Sequence, residues 1–463
     1  MKPWFIILAL CLPTAAQNNL DAVSSVNPTN ETSVNTASQT RSVVIVSQAL
    51  GTDCTGTKDS SAALNRLFDA RLGGNISGKH VIFPALCQLR VDHQVTVFGQ
   101  SNFVLDGEGR PGGSLFGCNG SVGAVLLIRR SGHAEIRGLE VYPKGVHCSS
   151  SFTQSVLVSN TRPGGVTATD LKFVNMDIHP SSGGVAIPNY IGIEFGINGE
   201  ENAEDIRISD SRITCGNSKN SYGVDIEGGN SDDDEVYHDL ITDCFQNVRV
   251  FAGGARIVNN KFGGGGNFAQ FGSGGSTIWV RDCAPPLLIL GNEAAEGSGQ
   301  FINSNNDLGG SGCQMLILGN QWTLAGGGSI DPNVYPVNLN SGGADNQVVI
   351  GNSFNAAGTT SKPIIGSDRR KPTGPLGSLV EFGNEVLHDA GGILNTYSPP
   401  FAQGTLSFSK SVEGTTSFQT LLSLQTPSSS SASCTAGQIW ADTNFVYVCA
   451  GPNKIKRAPL SSF

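Results

Sequence analysis

The sequence predicts an all-β protein that winds as a single-stranded parallel β-helix, and three observations support this fold class. A short apolar phrase recurs at intervals near 30 residues; residues 288–292 and 316–320 both read Leu-Ile-Leu-Gly-Asn. Glycine accounts for 60 of 463 residues, nearly twice its usual share of about 7%. Cysteines fall in sequential pairs about one such interval apart. Periods of this length are typical of stacked repeats.

The start of the chain is typical of a secretory signal peptide. Lys2 precedes an apolar run from Trp4 to Leu12, and small residues follow up to Ala16. We expect cleavage after Ala16, a polar linker over residues 17–42, and a secreted protein that is extracellular or periplasmic. A buried N-terminal helix is the alternative. No later stretch approaches the roughly 20 apolar residues that a membrane span needs.

Residues 58–74 predict a helix that covers the first coil of the repeat. Asp59 or Ser60 supplies the N-cap and Gly73 ends the helix. An open β-helix exposes its edge strands and its core at each end, so an amphipathic helix at this position is expected to close it. The apolar face of the helix consists of Leu64, Leu67, Phe68 and Leu72.

One series of repeats predicts the same corner on successive coils. Each copy contains a short strand, one or two polar residues and a further apolar residue, with no helical pattern, which excludes helical repeats. The steps between the apolar positions are 32, 17, 32, 28, 32 and 32 residues; the short step predicts one member on another face or at an irregular turn. We expect the asparagines to stack in a corner, because Asn tolerates left-handed backbone and hydrogen-bonds neighbouring turns. The apolar positions are Ile213, Phe245, Phe262, Ala294, Trp322, Phe354 and Val386, and the asparagines are Asn260, Asn292, Asn320, Asn352 and Asn384.

A second series of strands lies about 20 residues before the first and alternates with period two, which predicts one buried face. Val224 and Ile226 point inward, whereas Asp225 and Glu227 point outward. Stacked in register, the strands place Glu194, Asp225, Arg249 and Trp279 in one outward column. The neighbouring outward column contains Glu227, Phe251 and Arg281, and later coils add Asn303, Asn305, Asn338 and Asn340.

The cysteine spacing predicts disulfides between neighbouring coils. Eleven cysteines become ten once the signal peptide is removed, and an even count in an exported chain favours disulfides. Coils rise by about 4.8 Å, which lies within the Cα separation that a disulfide accepts. Connectivity is not fixed by sequence alone. Sequential pairing gives Cys54–Cys87, Cys118–Cys148, Cys215–Cys244 and Cys283–Cys313 between coils, and Cys434–Cys449 within a hairpin.

The N-terminal region resembles a known family. Residues 49–70 (ALGTDCTGTKDSSAALNRLFDA), 80–91 (HVIFPALCQLRV) and 103–109 (FVLDGEG) are similar to the signature of the pectate-lyase-like superfamily of right-handed parallel β-helix proteins. The resemblance covers residues 43–115, and coil-like repeats continue to about residue 390. It implies the right-handed fold, but the superfamily includes lyases, hydrolases, epimerases and non-catalytic tail or adhesion proteins. The Arg-Ile-Lys, Gly-His-Gly and Asn-Thr-Asp motifs of polygalacturonases are absent, and Ser-Gly-His-Ala-Glu-Ile supplies only His133.

We expect the β-helix domain to span residues 43–395. A linker follows over residues 396–433, since residues 425–433 (QTPSSSSAS) are typical of flexible segments. Residues 434–463 then predict a small β module with two strands and a turn near Asp442–Asn444. Its aromatic residues Trp440, Phe445 and Tyr447 fill a small core or bind a sugar; we favour the core.

The outward columns predict a groove for an oligosaccharide, because carboxylates, guanidinium groups, amides and a flat ring are what hydroxyls and sugar faces require. In a hydrolase, two of Glu194, Asp225 and Glu227 act as acid and as base or nucleophile. Asp225 and Glu227 have backbones about 6.6 Å apart, so their carboxyl groups can reach the roughly 6.5–9.5 Å of inverting enzymes. Glu194 and Asp225, one coil apart, are expected to raise one pKa by repulsion.

Two other interpretations of the columns stay open. In a lyase, the acids hold Ca²⁺ against a uronate carboxylate, and Arg249 or Arg281 abstracts the neighbouring proton. Alternatively, the charges form a solvated ladder of salt bridges. The substrate-binding residues expected for either enzyme are Trp279, Arg281, Phe251, Asn303 and Asn338.

The densest acidic run, Asp232, Asp233 and Asp234, offers a second calcium site near the groove or is a plain exposed loop. His238 beside it assists a reaction or is structural. A net charge of −9, with no basic cluster, argues against a nucleic-acid partner, and the glycine runs lack the Lys-Ser/Thr of a phosphate loop.

The sequence therefore predicts a secreted polysaccharide-active enzyme, either a glycoside hydrolase or a polysaccharide lyase. The alternatives are a non-catalytic glycan-binding or surface protein of the tail-spike type, which would be a homotrimer, and a structural envelope protein. The partner expected in the first two cases is a polysaccharide.

Overall fold

The computed structural model is a right-handed parallel β-helix together with a small antiparallel sheet. The residues that the structure describes form two compact units, one within 41–402 and one within 403–463. They are 42–49, 51–109, 112–120, 123–159, 168–197, 203–227, 233–251, 254–281, 287–295, 299–305, 314–324, 335–340, 347–355, 365–366, 379–382, 384–387, 427–434, 439–441 and 444–459.

Three parallel sheets surround the core, and each strand pairs with its equivalent one coil further on. Over the described residues, the first sheet has the strands Val43–Ile45, His80–Ile82, Val104–Asp106, Ala134–Arg137, Ala168–Val174, Ala203–Ser209, Asp234–Tyr237, Ala255–Val258, Leu287–Leu290, Met315–Leu318, Gln347–Ile350 and Leu379–Phe382. The second has Val95–Phe98, Ala124–Arg129, Gln154–Ser159, Ile191–Phe195, Tyr222–Ile226, Gln246–Val250, Ser276–Val280, Gln300–Asn305, Val337–Asn340 and Ile365–Gly366. The third has Gln88–Val91, Ser114–Gly117, Glu140–Tyr142, Asp177–Ile178, Arg212–Thr214, Leu240–Thr242, Lys261–Gly263, Glu293–Ala295, Gln321–Thr323, Ser353–Asn355 and Glu385–Leu387.

The third sheet shows why one repeat interval is short. Ile213 pairs with Ile241 and Ile241 pairs with Phe262, so Ile241 occupies the core position that the sequence pattern assigns to Phe245. Phe245 lies instead at the turn before the next strand and packs edge-on against Phe271, with ring centroids 6.0 Å apart. The prediction that one member begins an irregular turn is confirmed, because the coil between Ile241 and Phe262 is shorter than its neighbours.

The predicted asparagine corner is present as a buried ladder. From Asn292 onward, each Asn side-chain oxygen accepts hydrogen bonds from the backbone N–H and the amide of the Asn one coil before it, at 2.8–3.0 Å. The oxygen of the first member, Asn260, accepts the backbone N–H of Asp239 at 2.9 Å. The expected left-handed backbone occurs one residue earlier, at Asn259, Gly291, Gly319 and Gly351, whose φ angles are 55–65°. The preceding residue therefore turns the chain, and the Asn faces inward to satisfy the backbone of the corner. The ladder consists of Asn260, Asn292, Asn320, Asn352 and Asn384.

A helix, α1, covers the first coil as predicted, but it is shorter than its apolar pattern indicates. It spans Ser61–Phe68, and Asn65 bonds the backbone of the first strand of the second sheet. Ser60 is the N-cap, although the side chain that accepts the Ser61 N–H belongs to Asp59. Leu72 lies beyond the helix in a 3₁₀ turn, Ala70–Leu72, and is exposed. The prediction that Leu72 belongs to the apolar face of the helix is therefore wrong. The remaining short helices of the described residues are the 3₁₀ turn Val46–Gln48 and α2, Phe268–Phe271.

Four of the five predicted disulfides are confirmed. Three join neighbouring coils, with Cα separations of 4.4, 4.9 and 4.8 Å, and the fourth lies in the C-terminal module with a separation of 6.1 Å. The four are Cys54–Cys87, Cys118–Cys148, Cys215–Cys244 and Cys434–Cys449. Cys283 and Cys313 lie outside the described residues, so their pairing stays a prediction.

The C-terminal module is an antiparallel sheet with the strands Ile439–Ala441, Phe445–Gly451 and Lys454–Pro459. The first two are the predicted hairpin; the third is an addition that the sequence pattern missed. Tyr447 is buried, which favours the core role expected for its aromatic ring. The signal peptide, most of the linker and the predicted end of the β-helix near residue 395 lie outside the described residues, so the domain boundaries stay predictions. Among the described helices, none has the length and apolarity of a membrane span.

Candidate functional site

The outer face of the second sheet brings the predicted site residues together. In the register of neighbouring strands, Glu194 lies opposite Asp225, Asp225 opposite Arg249, and Arg249 opposite Trp279. This confirms the predicted vertical order. The same column continues through Asn303 and Asn338. Although these side chains point away from the core, Glu194 is only 4% exposed and Asp225 is fully buried.

Two residues of this face are missing from the sequence prediction, because the alternation of the strands is broken near their start. Gly223 and Val224 both face inward: a side chain on Gly223 would lie 2.6 Å from Ile241 in the core. Tyr222, which strict alternation places inside, therefore faces outward beside Arg249. Gln154 takes the equivalent position two coils earlier, since it pairs with Ile191, which pairs with Tyr222. A search for two adjacent small or apolar residues at the start of each strand would have found both.

Arg249 is the centre of the ion-pair network. Its Nε donates to Asp225 Oδ1 at 2.7 Å, and its Nη2 donates to the other oxygen of Asp225 and to Glu227. Its guanidinium also lies 3.9 Å from the ring centroid of Tyr222, which is a cation–π contact. The Arg249 side chain is 16% exposed and that of Glu227 is 12% exposed, so this network reaches the surface only at its edge.

Glu194 differs from the other two acids because no arginine bonds it in the described structure. Its carboxyl accepts a hydrogen bond from the Gln154 amide. Burial, reinforced by the negative charges of Asp225 and Glu227, raises the pKa of Glu194 to about 9. Glu194 is therefore protonated at neutral pH and is able to donate a proton.

Burial and ion pairing shift the pKa values of Asp225 and Arg249 in opposite directions. Burial raises the pKa of Asp225 to about 7, while the charge and hydrogen bonds of Arg249 act in the other direction. The two carboxylates raise the pKa of Arg249 well above its usual range, against the effect of burial. An arginine held in this way keeps its proton more firmly, which disfavours Arg249 as the base of an elimination reaction; that role stays a prediction.

The three carboxyl groups lie closer together than the sequence predicts. One oxygen of each of Glu194, Asp225 and Glu227 lies within 4.8 Å of the others. This limit on the nearest oxygens is compatible with carboxyl groups separated by the roughly 5–5.5 Å of retaining enzymes, and it favours that spacing over the roughly 6.5–9.5 Å of an inverting pair. The physical reason is Arg249, which bonds Asp225 and Glu227 with one nitrogen and draws their carboxylates together.

The same oxygens do not form a convincing calcium site. Ca²⁺ takes 6–8 oxygen ligands at 2.3–2.6 Å, and three oxygens within 4.8 Å of one another can surround such an ion. However, the Arg249 guanidinium already occupies two of the three carboxylates, and the third carries a proton at neutral pH. The donor set fits an arginine rather than a metal ion.

Aromatic and amide side chains continue the face beyond the acids. The Arg281 guanidinium lies 3.8 Å from the ring centroid of Phe251, and the Phe251 and Trp279 rings are 6.3 Å apart. All three are half-buried. One coil further on, the Asn338 amide donates to Asn303 Oδ1 at 3.2 Å. The predicted substrate-binding residues therefore form one continuous strip with the acids.

No family model and no curated protein matches this chain, but the fold is recognisable among solved structures. Endo-xylogalacturonan hydrolase from Aspergillus tubingensis is 13% identical, with a TM-score of 0.45 over 76% of this chain and 94% of that one. Alginate lyase from Paenibacillus sp. str. FPU-7 is 11% identical, with a TM-score of 0.36 over 70% and 93%. ORF18 of Geobacillus virus E2 is 14% identical, with a TM-score of 0.37 over 83% of this chain and 66% of that one. This chain thus spans slightly under two thirds of the viral protein.

This chain has the fold of a three-sheet parallel β-helix. The three parallel sheets and their one-coil register establish it. Identities of 11–14% and TM-scores below 0.5 select no activity among these neighbours. Any function must therefore come from the side chains on the β-helix itself.

The described part of the acidic run, Asp233 and Asp234, does not converge on one cation site, and the role of the whole run stays a prediction. Asp232 lies outside the described residues. Asp233 is exposed and lies 3.8 Å from Arg256, whereas Asp234 is buried and accepts the Ile206 N–H at 2.9 Å. The two diverge because Asp234 begins a strand of the first sheet, on a different side of the coil. His238, directly after that strand, lies 2.7 Å from Asp210, a contact that favours its structural role.

Proposed function

We propose that this protein hydrolyses glycosidic bonds of a polysaccharide on the outer face of the second sheet. The observation that carries the proposal is the contrast between neighbouring acids: Glu194 is kept protonated by burial, while Glu227 bonds the Arg249 cation less than 5 Å away. In glycosidases, the acid is assigned as the carboxyl group whose surroundings keep it protonated, and its partner is a carboxyl group in a more polar environment.

The chemistry uses Glu194 as the acid and Glu227 as the nucleophile. Glu227 attacks the anomeric carbon, the bond to the leaving sugar breaks, and the leaving oxygen takes the proton of Glu194. The ionised Glu194 then takes a proton from water as the water oxygen attacks the same carbon, which releases the sugar from Glu227 and restores both groups. Asp225, fully buried, positions Arg249. The close spacing of the carboxyl groups supports retention of configuration.

Two further features support action outside the cell. Four disulfides are present, and disulfides persist in oxidising compartments; the first sixteen residues also have a signal-like pattern. The carboxyl, guanidinium, aromatic and amide groups of the second sheet suit sugar hydroxyls and ring faces, so a polysaccharide is the proposed partner. The homotrimer stays a prediction.

The test is turnover of a panel of neutral and uronate polysaccharides by the purified protein. Hydrolysis releases reducing ends without the ultraviolet absorbance of an unsaturated uronate, and the first product should keep the anomeric configuration by NMR. Glu194→Gln and Glu227→Gln should each lower kcat by about 100-fold or more. Glu235→Gln, on the outer face of the first sheet, serves as the matched control. An unsaturated product would contradict hydrolysis.

The burial of Asp225 favours one second function, glycan binding without turnover. A carboxylate that is fully buried and held by two arginine nitrogens keeps a surface rigid, and a rigid face suits a binding site. If wild type binds a glycan but produces no new ends, and Glu227→Gln binds equally well, the binder replaces the hydrolase.

A further inference from the structure

The outer face of the second sheet is asymmetric about the acids. On the side of the earlier coils, the two positions directly before Glu194 in its column are Leu157 and Leu127. They are 7% and 9% exposed and form a small cluster with Ala124 on the outside of the sheet. On the side of the later coils, the same column continues as Arg249, Trp279 and Asn303.

The two sides offer a glycan very different surfaces. On the side of the earlier coils, aliphatic side chains packed against one another provide no hydrogen bonds for sugar hydroxyls, and the Gln154 amide is already bonded to Glu194. In the adjacent column on that side, Ser159 is buried and Arg129 lies three coils before Glu227, about 14 Å away at the usual coil rise. The later coils instead present half-buried aromatic rings, a guanidinium and amides in one strip.

The position of Trp279 sets where a sugar is held. It lies two coils beyond Asp225, which is about 10 Å at the usual rise per coil, a distance similar to the length of a disaccharide. Its ring, with Phe251 beside it and Arg281 over Phe251, forms an aromatic platform. Such a platform stacks on a sugar ring that is remote from the bond being cut.

We propose that the site takes a glycan from one end: the long arm of the chain lies along Trp279, Phe251 and Arg281, while the cluster of Ala124, Leu127 and Leu157 closes the opposite side. The inference rests on the proposed hydrolase function and adds the mode of action. Hydrolysis then removes a short product from a chain end, and Trp279 determines the preference for longer substrates.

The experiment separates binding from turnover by working in the Glu227→Gln background. Xylo-, fructo- and galacturono-oligosaccharides, from disaccharide to hexasaccharide, are titrated by calorimetry. Affinity should rise from disaccharide to tetrasaccharide for the sugar that binds. Trp279→Ala should abolish this rise, weakening tetrasaccharide binding about tenfold and disaccharide binding little. Tyr237→Ala is the matched control, because Tyr237 also lies under an arginine on an outer face, 4.9 Å from Arg207, but on the first sheet.

Products of the wild type on the corresponding polymer complete the test. A single short product from the start of the reaction is expected. A ladder of internal fragments, or a length dependence that survives Trp279→Ala, overturns the end-on mode and leaves hydrolysis intact. If no oligosaccharide in the panel binds, both the proposed function and this inference are overturned.

Discussion

At the scale of the residue, Arg249 neutralises two acids that the fold has removed from water. Breaking a buried pair by removing one partner is costly because a charge is left without compensation. Arg249→Met should therefore lower the free energy of unfolding by about 3–5 kcal/mol at pH 8, measured by urea denaturation. The cost should shrink when Asp225→Asn and Glu227→Gln are added, since no charge then remains unpaired.

The control for this prediction is Arg207→Met. Arg207 pairs with Glu235 at 3.4 Å on an exposed part of the first sheet, and exposed pairs contribute about 0–1 kcal/mol. If the two methionine variants lose the same free energy of unfolding, the Arg249 ion pairs are not buried as the structure indicates.

Glu194 should make stability depend on pH in an unusual direction. Its pKa is 4.5 in the unfolded chain and about 9 in the folded protein, so the folded state binds the extra proton between these values. The contribution of Glu194 to the free energy of unfolding is fully present below pH 4.5. It decreases as pH rises from 4.5 to about 9 and does not decrease further above that pH. Glu194→Gln cannot ionise. Its Tm should therefore drop less than that of the wild type between pH 5 and 9, as calorimetry at a series of pH values would reveal.

Two parallel Tm curves for the wild type and Glu194→Gln would contradict the raised pKa. Glu235→Gln is again the control, because Glu235 is half-buried on the outside of the first sheet beside Arg207. This variant should follow the wild type across the whole range.

At the scale of the element, the asparagine ladder links one coil to the next. Asn320 accepts two hydrogen bonds from Asn292 and donates to Ile289 and Asn352, all at 2.9–3.0 Å and all buried. Asn320→Ala leaves the Asn292 donors without an acceptor, at about 1–3 kcal/mol for each buried group. The free energy of unfolding, measured by urea denaturation, should therefore fall by at least the cost of one such buried group. Asn75→Ala, at an exposed turn with one local bond to Ser77, should change stability by about 0.5 kcal/mol or less.

The elements also show where sequence patterns were sufficient. Periodicity placed Glu194, Asp225 and Arg249 in one column because a strand paired in register carries its outward side chains with it. It failed at Tyr222 and Gln154, where two adjacent inward residues shift the alternation, and at Phe245, where Ile241 holds the core position. Such local irregularities depend on how each corner packs against its neighbours, which a count of residues does not contain.

Side-chain convergence was the other limit of the sequence. The order of the acids was predictable, but their separation was not, because the Arg249 side chain sets it by bonding Asp225 and Glu227 at once. Asp233 and Asp234 are a second example: because they are adjacent in the chain, the sequence predicted that they could share a cation. One of them is buried at the start of a strand and the other is exposed beside Arg256.

At the scale of the whole molecule, disulfides join coils that touch only their neighbours. Crosslinking a loop of about 30 residues removes unfolded-state entropy equivalent to roughly 3–4 kcal/mol. Replacing both Cys215 and Cys244, whose sulfurs are buried in the core, by alanine should lower stability by about that amount. The loss, measured by urea denaturation, should exceed that for Cys434 and Cys449, which close a loop of only 15 residues and lie in the separate C-terminal module.

The same principle of one coil per crosslink predicts the fifth bridge. Cys283 and Cys313 are 30 residues apart, as are Cys118 and Cys148, and no other cysteine of the β-helix remains once the three confirmed coil-to-coil pairs are assigned. Peptide mapping of the purified, unreduced protein should recover them as one linked pair and detect no free thiol at either position. A free thiol at either position, or a link from either to another cysteine, would mean that the later coils do not follow the spacing of the earlier ones.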